Sequence, residues 1–173
     1  AKGKATVKQK EMVNRNLTGT TKLKDLGSCD LVIEAVTEDI KTKNDVFKEL
    51  DSLCPEHTVF ASNTSSIKIA EMAKATSRPD RFVGLHFFNP VPVMRLVEVV
   101  RTPSTSDKTF ETAVRFVKSL EKTAVACKDT SGFVVNRLLI PYLLDAIRTL
   151  EAGVASREDI DSAMMLGCGY PMG

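Results

Sequence analysis

Histidine and cysteine are scarce in these 173 residues. His57 and His86 are the only imidazoles, and Cys29, Cys54, Cys127 and Cys168 are spaced 25, 73 and 41 residues apart. No CxxC pair or His/Cys cluster of metal-ligand spacing can be assembled from them, which argues against a metal site and for reduced, mostly buried thiols. Long apolar runs are missing as well. Residues 133–135 and 138–140 are separated by Asn136 and Arg137 and followed by Pro141, far short of the ~18 residues that a membrane span needs. An excess of one charge is also lacking, since 24 basic side chains face 22 acidic ones, unlike the balance of a nucleic-acid binder. Repeats and low-complexity stretches are absent, and the ordinary mixture that remains is that of a chain with a core to bury.

Some charge is gathered locally. Within residues 1–25, Lys2, Lys4, Lys8, Lys10, Arg15, Lys22 and Lys24 are opposed only by Glu11 and Asp25. Two readings stand, a solvated helix face or a patch for a polyanionic ligand.

Hydrophobic periodicity predicts alternating elements. Residues 30–36 read as a buried strand, 40–54 as a helix stopped by Pro55, 58–61 as a strand and 67–75 as a short helix for which Ser66 is the expected N-cap. The runs 82–88 and 95–101 read as strands joined by a link too short for a crossover helix, hence either as an antiparallel pair or as the irregular end of a sheet. A helix capped by Ser106 and a strand at 123–127 complete an α/β layout. From Ser131-Gly132 onward the pattern is helical. Residues 133–150 are apolar nearly all round with Pro141 as the expected kink, and a second helix follows with Ser156 and Asp159 at its start and Gly167 as its expected stop. The long helix requires a partner beyond these elements.

Two segments are chemically rich. In the first, Glu98 shares a strand face with Leu96 and Val100, and His86 lies on the neighbouring strand. A carboxylate on one ring nitrogen fixes the tautomer and raises the basicity of the other, so His86 is either a general acid/base or a core histidine with its needs met. His57 follows Pro55-Glu56 in a loop and reads as a surface residue. The second segment is residues 62–66, Ser-Asn-Thr-Ser-Ser, between a strand and a helix, where open α/β sheets bind ligands. Glu38, just beyond the first strand, is better placed than Glu34 to meet such a ligand, and Asn136 is either a buried amide or a reach into a site.

The segments AVTEDIKTKNDVFKELD, ASNTSSIKI, GLHFFNPVPVMRLVEVV, CKDTSGFVVNRLL and AGVASREDIDSAMMLGCGYPMG together resemble the NAD-dependent 3-hydroxyacyl-CoA dehydrogenases, nearest the monofunctional mitochondrial type. The HFFNPVPVM block is the most specific part. The resemblance implies a Rossmann-like NAD-binding domain over residues 1–128 and the beginning of a helical substrate and dimerisation domain over residues 129–173. It implies oxidation of a 3-hydroxyacyl-CoA to the 3-ketoacyl-CoA in fatty-acid β-oxidation, with acetoacetyl-CoA as a reverse substrate, a homodimer when intact, and the mitochondrial matrix. It further implies His86 as acid/base, Glu98 as its orienting carboxylate, and Ser65 and Asn136 at the substrate oxygen. Glu38, Lys43, Asn63, Ser65 and Asn89 match contacts to NAD.

Three departures accompany the resemblance. The family's first strand and its GxGxxG phosphate loop are not in the sequence. Its later helices are not there either, and Ser131 stands where Pro is usual. The chain therefore resembles the middle of the enzyme. A catalytically inactive acyl-CoA-binding or subunit-interaction protein is the alternative, and a segment of a multifunctional β-oxidation enzyme is a third.

Overall fold

The computed structural model describes residues 6–171 and 173. Lys2 and Lys4 of the basic cluster lie outside them. Among the described residues, α1 (Val7–Asn16) is followed by β1 (Leu31–Glu34), α2 (Ile40–Leu53), β2 (Val59–Ser62), α3 (Ile69–Ala73), β3 (Phe82–Phe87) and β4 (Leu96–Arg101). Then come α4 (Asp107–Ser119), β5 (Thr123–Lys128), α5 (Val135–Glu151) and α6 (Arg157–Cys168). The strands form one sheet in the order β1-β2-β3-β4-β5. β1, β2 and β3 run parallel, β4 runs against β3, and β5 is parallel to β4. The fold is thus a Rossmann-like α/β sheet followed by helices. The short link between β3 and β4 turns the chain back, as its length requires.

Side-chain alternation divides the sheet into two faces. Phe60 and Phe82 look to the side of α2 and α3, where Phe47 lies 4.6 Å from the Phe82 ring centroid and 5.8 Å from that of Phe60. Ala61, Val83, Leu85, Val97 and Val99 look to the other side and meet Ala113 and Val117 of α4. Each fully buried large apolar side chain contributes about 1.5–3 kcal/mol relative to exposure. Local caps set the helix starts. Asp39 accepts from the Thr42 N–H, Ser106 from Thr109 and Ser156 from Asp159.

Two residues expected to end helices do not do so. Ser66 does not cap α3, which starts later than its apolar pattern implies. The Asp129 carboxylate, from the segment after β5, accepts the N–H groups of Ile69 and Ala70 at 2.9 and 2.8 Å, so the cap comes from sixty residues away. Gly167 does not stop α6 either. The helix continues to Cys168, and Gly169 takes the left-handed conformation that ends it.

α5 has no buried residue, and Leu138, Ile140, Leu143 and Ile147 are exposed along it. This agrees with an apolar helix whose partners are not all among the described residues. α1 is exposed along its length, so Lys8, Lys10 and Arg15 are on a solvated helix.

Gly84 leaves the space that Ile69 of α3 and Val100 of β4 fill. A Cβ there would lie 2.7 Å from Val100 Cβ and 2.9 Å from Ile69 Cγ1 and Cδ1. Gly84→Ala is therefore expected to destabilise the protein by about 1–3 kcal/mol, read as a lower urea midpoint with an unchanged m-value.

Candidate active site

The antiparallel register places His86 directly opposite Glu98. Their side chains meet, with Nδ1 of His86 2.7 Å from Oε2 of Glu98, and Glu98 has no solvent exposure. A carboxylate can only accept, so the imidazole donates from Nδ1 and keeps Nε2 as the free, basic nitrogen. The ring is flanked by Phe88 and Phe133, at centroid distances of 4.5 and 5.5 Å. The remaining oxygen of Glu98, Oε1, accepts the main-chain N–H groups of Val134 and Val135, both at 2.9 Å. A dyad of this kind has the chemistry to exchange a proton as a general acid/base.

The same turn of α5 carries Asn136, whose Nδ2 donates to the main-chain oxygen of Ser65 at 3.4 Å. The Ser65 N–H donates in turn to Oε1 of Glu38 at 3.2 Å. Thr64 Oγ1 also donates to that oxygen, and Ser66 Oγ does so at 3.0 Å. Polar residues expected from the sequence at the site thus form a connected set at the carboxyl ends of β1 and β2. Beside them, Glu38, Asp39, Ser66, Lys68, Glu71 and Ser131 line an open cleft of about 430 Å³.

Other expected contacts have structural occupations. Lys43 is buried, its Nζ 2.7 Å from Glu34 Oε1 and 3.2 Å from Glu38 Oε2. Its ammonium is taken up by those two carboxylates. Asn63 Oδ1 accepts the Phe87 N–H at 2.9 Å and so ties the loop after β2 to the strand that carries His86. Asn89 is exposed, before a cis peptide bond to Pro90. His57 is on the surface beside Asp30.

Three contributors were not singled out by sequence reasoning. Glu34 is the buried counter-ion of Lys43 and also accepts from Ser62 Oγ at 2.6 Å. Asp129 caps α3. Phe133 is buried with a φ of 46°. A charged residue in an apolar strand is the signal that could have found Glu34, and the other two carry no local pattern.

Comparison with known proteins identifies the family. Residues 1–130 match the model of the 3-hydroxyacyl-CoA dehydrogenase NAD binding domain, and residues 132–173 that of the 3-hydroxyacyl-CoA dehydrogenase C-terminal domain. The chain belongs to the 3-hydroxyacyl-CoA dehydrogenase family. It is 62% identical over 156 residues to human mitochondrial hydroxyacyl-coenzyme A dehydrogenase, covering 90% of this chain and 50% of that protein. It is 50% identical over 173 residues to a 3-hydroxybutyryl-CoA dehydrogenase of Mycobacterium tuberculosis, covering 99% of this chain and 60% of that one. Among solved structures, (S)-3-hydroxybutyryl-CoA dehydrogenase from Ralstonia eutropha superimposes with a TM-score of 0.96 at 45% identity, covering 98% of this chain and 60% of that chain. The chain spans about half to three-fifths of the length of the curated relatives it matches.

Glu38 supplies a pH signature. Burial alone would raise its carboxyl, but hydrogen bonds from Thr64, Lys43 and Ser66, with the Lys43 charge, outweigh that and bring it from 4.5 to about 2. A carboxylate lowered on folding stabilises the fold above its ordinary value and loses that contribution as pH falls. Stability of the parent protein should therefore decline from pH 4.5 down to about 2, and Glu38→Gln should flatten that part of a denaturation series. An unchanged slope would remove Glu38 from the account.

Proposed function

We propose that this protein works as an NAD-dependent 3-hydroxyacyl-CoA dehydrogenase, and the observation that carries the reading is the buried His86–Glu98 dyad. Nε2 of His86 takes the proton of the substrate 3-hydroxyl while the hydrogen on C3 departs as hydride, leaving the 3-ketoacyl-CoA. NAD, when bound, supplies the hydride acceptor. Glu98 holds the imidazole in the required tautomer and stabilises its protonated form. Ser65 and Asn136, joined to each other, contact the substrate oxygen and orient the reacting carbon.

The residues present fit one end of the cofactor. Glu38, Ser65, Asn63 and Asn89 offer acceptors and donors for the ribose and nicotinamide, with Lys43 fixing the Glu38 carboxylate. Pyrophosphate would need a cradle that these residues do not provide, since no GxGxxG occurs in the sequence. Residues 1–128 serve the cofactor and residues 129–173 open the substrate and dimerisation domain. The exposed apolar face of α5 supports a homodimer. The relatives named as mitochondrial support the mitochondrial matrix and a place in fatty-acid β-oxidation. No observation favours a non-catalytic binding role.

The test is NADH oxidation with acetoacetyl-CoA, followed by absorbance. His86→Gln should lower kcat by about 10²- to 10⁴-fold while acetoacetyl-CoA binding is retained. Full turnover in that variant would refute the assignment of His86 as the acid/base.

A further inference from the structure

The charge of Glu98 is matched from two sides that belong to different parts of the chain. His86 meets one oxygen from β3, and the opening of α5 meets the other through Val134 and Val135. The N–H groups at a helix start have no partner within the helix, so the positive end of α5 falls on the carboxylate. The turn before it is shaped for this. Gly132 and Phe133 are both left-handed, with φ of 76° and 46°, a costly conformation for a bulky residue that burial of the Phe133 ring against His86 sustains.

Other titratable groups around the pair give it no cation. From β5, Cys127 is pushed up to about 11 by burial, with Glu98 and Asp129 adding to it. Asp129 is committed to the amides of α3, and Arg137 of α5 is exposed. Among the described residues His86 is the only ion-pair partner of Glu98.

We propose that the main-chain N–H groups of Val134 and Val135 set the pH at which the His86–Glu98 pair releases its proton, with Phe133 as the positioning residue that aims them. The inference rests on the proposed function only in calling His86 the base. The deprotonated pair carries one negative charge away from solvent, and the two amides stabilise it. Without them the pair holds its proton to higher pH, whichever residue carries it.

Two variants test this: an amide-to-ester replacement that removes only the Val135 N–H, and Phe133→Leu. Each is read by the pH dependence of kcat/KM for 3-hydroxybutyryl-CoA oxidation and by ¹⁵N-histidine NMR titration, in which His86 is one of two imidazoles. The acid limb and the NMR midpoint of His86 should both move up by about one pH unit, with kcat/KM recovering at high pH. An unmoved midpoint in the ester variant overturns the proposal, even if activity is lower at every pH. If the parent shows no turnover, the enzyme reading fails while the NMR midpoint still decides this inference. If Phe133→Leu does not fold, the ester variant decides alone.

Discussion

A carboxylate with no exposure to water must have its charge matched or else take up a proton, and Glu98 is in that position on β4, between β3 and β5. Its two oxygens receive three N–H groups, one from an imidazole and two from the main chain. The arrangement around it follows from this need. β4 must run against β3 so that His86 falls opposite Glu98, and α5 must start at the sheet so that its free amides reach the second oxygen. Removing any one donor leaves buried charge short of partners, which costs more than an ordinary surface bond is worth.

The same logic repeats at a second carboxylate cluster. Lys43 is drawn into the interior by Glu34 and Glu38, and its charge would be intolerable there with neither. Glu34 closes the buried side with Ser62, while Glu38 gathers Thr64, Ser65 and Ser66 at the strand ends. Helix α3 is then free of its own serines and takes its cap from Asp129. Caps and counter-charges borrowed across the chain lock the loops around the dyad into one arrangement, which is what positioning a reactant demands.

Much of this could be read from the residues and some could not. The β3/β4 turn was legible because so short a link cannot span a crossover, and alternation placed Glu98 on one face with Val100. The dyad itself followed from those two facts, and the HFFNPVPVM block then raised it from one reading among two. Ser66 misled because a hydroxyl before an apolar run looks like a cap, whereas the Asp129 carboxylate that does the capping is invisible to a local window. Gly167 misled by two residues, since only φ distinguishes it from Gly169. Lys43 lies on a helix with ordinary spacing, and nothing local reveals that two carboxylates bury it. Phe133 reads as one more apolar residue, and its left-handed backbone appears only once Val134 and Val135 are seen to face Glu98.

The central claim is that Glu98 holds the imidazole of His86 with its proton on Nδ1 and Nε2 open to the substrate. The most direct measurement is ¹⁵N–¹H correlation of the labelled imidazole at a pH where it is neutral, which identifies the nitrogen that carries hydrogen. The account predicts Nδ1–H for His86, giving way to mixed tautomers in Glu98→Gln. A proton on Nε2 in the parent protein would contradict it.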